Sequence, residues 1–239
     1  MSILELPPRM WLILLKVNCF NLDMSENLQY VLNGYQEFRQ KYFAGGDDLY
    51  LELKKGQKPK VLVIACSDSR VDPAIILNCK PGDLFVVRNV ANLVPPYNND
   101  GGHHGTSAAL EFGITGLNIK HIIILGHSYC GGIRALVEGR YNSGRPESFI
   151  DKWMEIARPS MLETIDKFPH ESVENQVTHC SKSALIKSLS NLLTFPWIKK
   201  RSEGNDLTIR SWYFNIDDGM IEEFDEKDQE FKALKVEEA

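Results

Sequence analysis

The chain has 239 residues, 43% apolar and 25% charged, which is enough for a real core in one large domain or one domain with extensions. A net charge of -5, with basic runs no longer than Lys54-Lys55 and Lys199-Lys200-Arg201, excludes the basic face or stripe of a nucleic-acid binder. The five cysteines, Cys19, Cys66, Cys79, Cys130 and Cys180, are odd in number and widely spaced. They make a poor disulfide framework, so a reducing, cytoplasmic setting with metal-bound or structural thiols is expected.

Residues 1–23 read as an N-terminal extension that the fold does not need. Met10–Phe20 is apolar, but Lys16 interrupts it, and it falls far short of the roughly 20 residues that span a bilayer. No small-residue cleavage site follows, so neither a signal peptide nor a membrane anchor is expected. Met24 followed by Ser25-Glu26-Asn27 is a better start, with Ser25 as helix N-cap. From Asn27 to Phe43, Leu28, Val31, Leu32, Tyr35, Phe38 and Tyr42 recur at three- and four-residue spacing. That pattern predicts an amphipathic N-terminal helical arm, ended by Gly45-Gly46.

Three continuous apolar runs come next, Val61–Ala65, Leu84–Val87 and Ile122–Leu125. Rich in β-branched residues, they suit strands buried on both faces of a parallel sheet. Thr106–Leu117 carries a helical pattern between them. Alternation of this kind predicts an α/β fold with a central, mainly parallel β-sheet flanked by helices. Beyond Gly139, helices are predicted over Phe149–Ala157, Met161–Phe168 and Val173–Leu193, with Pro159, Pro169 and Pro196 at their joints. Leu207–Phe214 alternates as a strand, and Asp217-Asp218-Gly219 reads as a hairpin turn before Met220–Phe224. No repeat or low-complexity linker divides residues 24–224, so one domain is expected there, followed by an acidic, mobile tail over 225–239.

Two polar segments each follow a predicted buried strand: Cys66-Ser67-Asp68-Ser69-Arg70 and Gly126-His127-Ser128-Tyr129-Cys130-Gly131-Gly132. Open α/β sheets bind ligands beyond the carboxyl ends of their strands, so both clusters sit where a site is expected. Zinc takes thiolate and imidazole ligands in a tetrahedron, and a catalytic site keeps one position open. His127 and Cys130, three residues apart, can point inward from a single turn, and Cys66 completes a Cys₂His set. Gly131-Gly132 lets backbone approach without a Cβ clash. Free cysteine is more often a small buried hydrophobe, and Cys19, Cys79 and Cys180 are read that way. Cys66 fits that role poorly with Asp68 and Arg70 so close. On spacing alone, a structural Asp–Arg ion pair without a metal accounts for the segment equally well. His103-His104 is read as loop structure or helix entry, His121 as a strand start, and the adjacent His179 and Cys180 as packing residues.

Around these two motifs the sequence resembles the β-class carbonic anhydrases, with a plant-like pattern. The resemblance runs from about Gly56 to Gly219, through Gln57-Lys58-Pro59-Lys60, Val87-Arg88-Asn89-Val90-Ala91-Asn92, Pro95-Pro96-Tyr97, Gly105-Thr106-Ser107-Ala108-Ala109 and Leu192-Leu193-Thr194-Phe195-Pro196. It implies reversible hydration of carbon dioxide to bicarbonate through a zinc-bound hydroxide, with one Zn2+ per subunit on Cys66, His127 and Cys130. It implies that Arg70 keeps Asp68 off the metal so that the pair orients the nucleophile. Gln57, Phe85 and Val90 match residues lining the substrate pocket, and Gly131 matches a backbone position beside the metal. Part of that lining comes from a second subunit, so a dimer or higher assembly is implied, with neither nucleic acid nor membrane as partner. Some members carry a regulatory bicarbonate pocket of tryptophan, arginine and tyrosine. Here those positions hold Val63, Arg88 and Phe214, so the pocket is expected to be missing, and Phe112 stands where a tyrosine is common. Other readings remain: a hydrolase of carbon disulfide or carbonyl sulfide on the same scaffold, a non-catalytic carbon dioxide or bicarbonate sensor, and a structural zinc module. A nucleotide-binding module lacks its glycine fingerprints.

Overall fold

The computed structural model describes residues 26–44, 48–141 and 147–235. The expectations for residues 1–23, the Ser25 cap and Cys19 lie outside the described residues. Internal contacts divide the chain into two units, one up to Gly56 and one from Gln57 onward.

In the first unit, helix α1 (Glu26–Arg39) runs into a single π-helical turn (Gln40–Ala44), and a short helix α2 (Leu49–Leu53) follows. The predicted apolar stripe is present, although Leu28, Val31 and Tyr35 along it are exposed. Aromatic packing holds the end of the arm: the Phe38 ring lies 5.1 Å from Tyr42 and 5.6 Å from Tyr50, and Phe43 stacks on Tyr50 at 4.8 Å.

The second unit is built on a six-stranded sheet in the order β2-β1-β3-β4-β5-β6. Its parallel part comprises β1 (Val61–Cys66), β2 (Leu84–Asn89), β3 (His121–His127) and β4 (Thr208–Phe214). Register puts Val61 opposite both Leu84 and His121, and His121 opposite Thr208, so all four strands start level. They also finish level, with Cys66 opposite Asn89 and His127 opposite Phe214. One end of the sheet thus collects the carboxyl ends of β1 to β4.

The continuous apolar runs of β1 and β3 reflect burial on both faces, whereas the run in β2, at the edge of the sheet, is only partly buried and leaves Val86 exposed. Leu62, Ile64, Ile122 and Ile124 pack into a core with Leu110 of α4 (Gly105–Glu111), Leu185, Leu189 and Leu192 of α8 (Val173–Leu192), and Ile198 of α9 (Pro196–Glu203). The alternate residues Val63, Ala65, Ile123 and Leu125 form a separate cluster with Leu84, Trp212 and Phe214. Each fully buried aliphatic side chain contributes about 1.5–3 kcal/mol. A third cluster joins Cys66 and Cys130 to α5 (Gly131–Val137), α6 (Phe149–Met154), α7 (Arg158–Lys167) and the first half of α8.

Some expected boundaries differ. Pro159 and Pro196 lie in the first turns of α7 and α9, where a missing N–H costs nothing, so they open helices. A four-residue helix, α3 (Pro73–Ile76), escaped the periodicity search because it is too short for one. The hairpin forms as predicted: Asn215 N–H donates to Met220 O at 2.8 Å, and Gly219 adopts φ +73°. It leads into β5 (Ile221–Asp225), antiparallel to β4. The charged stretch expected as a mobile tail then forms β6 (Glu230–Ala233) against β5. Phe231 anchors it, with its ring 5.3 Å from Phe224 and 6.4 Å from Tyr213.

Candidate metal centre

Cys66 is the last residue of β1, His127 the last of β3, and Cys130 the N-cap of α5. Level strand ends therefore bring three ligands of two types together from positions up to 64 residues apart. Their donor atoms lie within 4.8 Å of one another, with the two sulfurs 4.0 Å apart. All three side chains are buried. Two thiolates on one tetrahedral zinc at 2.3 Å would stand about 3.8 Å apart, so the spacing fits such an ion. Among the described residues, no other His, Cys, Asp and Glu side chains form such a group.

His127 provides an independent test of fit. Its Nδ1 lies 2.8 Å from Ser128 O, and a carbonyl can only accept, so Nδ1 carries the proton. Nε2 is left with a lone pair, buried and without a hydrogen-bond partner. Such an orphan costs about 1–3 kcal/mol unless something fills it. The sulfurs ask for the same occupant. Hydrogen bonding from Cys130 holds the Cys66 thiol below its ordinary range, whereas the neighbouring Cys66 sulfur and burial push Cys130 well up. One negative sulfur forms readily, and the second needs a cation beside it. The donor set therefore fits zinc.

Beside the cluster stands an ion pair. Arg70 Nε donates to Asp68 Oδ1 at 2.9 Å and Nη2 to Oδ2 at 2.8 Å, while the Arg70 N–H adds a third bond to Oδ1 at 3.0 Å. These bonds hold the Asp68 carboxyl far below the usual carboxylate range, so it is ionised. Arg70 Nη2 also reaches Tyr129 O at 3.0 Å, tying the first motif to the second.

Arg88 braces the site from beneath. Its Nε donates to Cys66 O at 2.9 Å, Nη2 to Asp68 O at 2.6 Å, and Nη1 to Asp72 Oδ2 at 2.9 Å. The resemblance marked Arg88 only as the survivor of a regulatory pocket. Val63 is wholly buried in β1, and Phe214 is the β4 residue opposite His127.

The pocket residues divide. Val90 opens the turn after β2, which Asn89 closes with bonds to Leu93 N at 2.8 Å and Leu93 O at 2.9 Å. It leans on the start of α5 so closely that a Cβ on Gly132 would come within 2.8 Å of Val90 Cγ1, which only glycine tolerates. Trp153 Nε1 holds the turn by donating to Val90 O at 2.8 Å, a contact no sequence signal announced. Gly131 borders open space beside Cys130. Gln57 and Phe85 lie elsewhere: Gln57 precedes β1, and Phe85 pairs with Leu62 four residues before Cys66. At about 3.3 Å per residue, the length of β1 puts them toward its opposite end, so one subunit does not bring them to its own metal ligands. Phe112 packs with Phe85, ring centroids 6.0 Å apart.

The remaining candidates stay outside the centre. His104 bonds Asp100 at 2.7 Å, His121 opens β3 at the surface, and His179 stacks on Phe168 at 3.9 Å. Cys180 is buried in α8, and Cys79 is half-buried with its sulfur 3.5 Å from Leu77 O. Among the described residues no helix is long and apolar enough to cross a membrane.

A family profile described as carbonic anhydrase matches residues 61–221. Beta carbonic anhydrase 3 of Arabidopsis thaliana is 39% identical over 202 residues, covering 84% of this chain and 77% of that protein. The chloroplastic beta carbonic anhydrase 5 of the same plant is 38% identical over 204 residues, covering 85% and 66%. Among solved structures, the beta-carbonic anhydrase CcaA superposes with a TM-score of 0.81 at 33% identity, covering 88% of this chain and 93% of that one. Two tetrameric beta-carbonic anhydrases of the filamentous ascomycete Sordaria macrospora have also been solved, and the match to that structure has a TM-score of 0.71 at 27% identity, covering 82% and 96%. With the profile spanning the parallel strands and both motifs, and relatives this similar along most of their length, the chain belongs to the β-class carbonic anhydrases, a family of lyases.

Proposed function

We propose that this protein reversibly hydrates carbon dioxide to bicarbonate and a proton, with one zinc ion per subunit held by Cys66, His127 and Cys130. The observation that carries the reading is the orphaned, buried His127 Nε2 beside two sulfurs 4.0 Å apart, with an ionised carboxylate clamped next to them. A zinc ion at such a site supplies a Lewis acid that brings the pKa of bound water to near 7.

The chain's own residues do the rest. Arg70 occupies both Asp68 oxygens, which keeps that carboxylate from closing the coordination sphere itself. Asp68 then accepts a hydrogen bond from the attacking oxygen and turns its lone pair toward the substrate carbon. Val90 supplies an apolar wall that suits a neutral, linear substrate, and Gly131 leaves room beside it. Gln57 and Phe85 serve the site of a partner subunit, where the Gln57 amide donates to a substrate oxygen as it gains charge. Their separation from the metal ligands within one subunit supports this assignment, and with it a dimer or higher assembly.

Zinc analysis and stopped-flow carbon dioxide hydration on one preparation test the reading. Stoichiometric zinc with rapid hydration, both lost on chelation and regained on adding zinc, is the expected result. A zinc-loaded protein that does not hydrate carbon dioxide would sink the enzymatic reading and leave a structural metal site.

A further inference from the structure

Tyr129 lies between two of the clustered ligands, His127 and Cys130, and its backbone is left-handed at φ +58°. That region is uncommon for a bulky residue and persists where surrounding contacts impose it. Here the contacts come from the end of β4 and the turn after it. Ser128 N–H donates to Phe214 O at 3.0 Å, and Ile216 N–H donates to Ser128 Oγ at 2.8 Å. The Tyr129 phenol completes the series by donating to both Asp217 oxygens, at 3.0 Å and 2.8 Å. Asp217 is fixed in turn, its N–H donating to Asn215 Oδ1 at 3.1 Å. Residues 128 and 129 are thus fastened to residues 214, 216 and 217.

The outermost fastening has a particular consequence. Tyr129 O accepts from Arg70 Nη2 at 3.0 Å, and the same nitrogen donates to Asp68 Oδ2 at 2.8 Å. Any rotation of the Tyr129 peptide therefore moves the atom that aims Asp68. Tyr129 is 43% exposed, so apolar burial does little to fix the direction of its ring; the hydroxyl does. A neutral donor on an ionised acceptor is among the stronger kinds of hydrogen bond.

We infer that Tyr129 and Asp217 are positioning residues: their hydrogen bond fixes the Tyr129 peptide, and through Arg70 it holds Asp68 in place for the reaction. The inference rests on the proposed hydration activity for its catalytic consequence but not for its structural one. The test compares zinc-loaded wild type with Tyr129→Phe, Asp217→Ala, Asp217→Asn and the Phe/Ala double variant. Amide hydrogen exchange across residues 127–132 and zinc release to a chelator are followed beside turnover.

Removing one such bond is expected to raise exchange and zinc release by about three- to tenfold, with kcat falling by a similar factor and KM little changed. Asp217→Asn retains an acceptor and recovers most of what Asp217→Ala loses. The double variant is no worse than either single one, because each breaks the same contact. Wild-type exchange and release in Tyr129→Phe overturn the inference, as do additive losses in the double variant. Should the wild type bind zinc without hydrating carbon dioxide, the functional proposal fails, while exchange and release still decide whether the contact holds the loop.

Discussion

Asp68→Asn separates the metal site from the group that aims the reaction. The native carboxylate accepts three hydrogen bonds from Arg70, at 3.0, 2.9 and 2.8 Å. An amide of the same shape has one oxygen, so it keeps one side of this fork and sets an N–H against a guanidinium N–H on the other. A shielded charge-assisted bond is worth about 1.5–3 kcal/mol. Here the Arg70 side chain is 48% exposed and water screens the pair, so stability falls by only about 0.5–1 kcal/mol. For a chain of this size that lowers Tm by about 1–4 °C. The effect on turnover is larger, because the attacking oxygen loses a fixed anionic acceptor. Loss of a positioned acid–base group costs about 10²–10⁴-fold, and the low end is expected while the metal site stays intact. Stopped-flow hydration, zinc analysis and a thermal melt on one preparation measure all three quantities. Wild-type turnover with full zinc would remove Asp68 from the mechanism, and loss of zinc would reassign it to metal retention.

Cys66→Ala and His127→Ala should each empty the site of zinc and abolish hydration; a zinc-free variant with full activity contradicts the ligand assignment. Gly126→Ala would place a Cβ 2.8 Å from Leu185 Cδ1 and 3.0 Å from Leu185 Cγ, on a side chain with no exposed surface. Overpacking there should cost about 1–3 kcal/mol, read as a lower urea midpoint. Burial pushes the Cys180 thiol up to about 12, so it should resist iodoacetamide at about pH 9, where an ordinary thiol reacts. Cys66 and Cys130 should be labelled only after chelation, by peptide mass spectrometry; labelling at full zinc occupancy counts against their role. With Val63 and Phe214 in place of the pocket-forming pair, initial rates against bicarbonate should show simple rather than cooperative inhibition.

The parallel core was legible because its evidence is local. Val61–Ala65 and Ile122–Leu125 are continuous apolar runs, and burial on both faces is what removes alternation from a strand; Leu84–Val87 reads the same way but forms the edge strand β2, with Val86 exposed. Long helices were legible for the same reason, as was the turn at Asp217-Asp218-Gly219. Elements without a local signature were misjudged. Charge along residues 225–239 suggested a tail, yet Phe231 meets two aromatic rings from β4 and β5 and makes an edge strand there. Prolines 159 and 196 marked boundaries correctly but opened helices there, because a first turn leaves that N–H unpaired anyway.

At the centre, residue types and spacing nominated Cys66, His127 and Cys130, since thiolate and imidazole donors after two strand ends carry their chemistry in their identity. Spacing alone could not decide between a metal and a bare ion pair. Strand register adds what spacing lacks: it levels β1 with β3, so that the three donors cluster and His127 Nε2 is left without a hydrogen-bond partner. Nor could sequence show that Arg88 grips two carbonyls of the first motif, that Trp153 holds Val90, or that Tyr129 reaches Asp217. These contacts join residues 20 to 88 positions apart, and side chains that far apart have no period to read. Burial pattern and ligand type are properties of a segment and its neighbours in the chain, so the sequence by itself determined them. Distance between segments exists only once the strands pair, and only the tertiary structure could decide it.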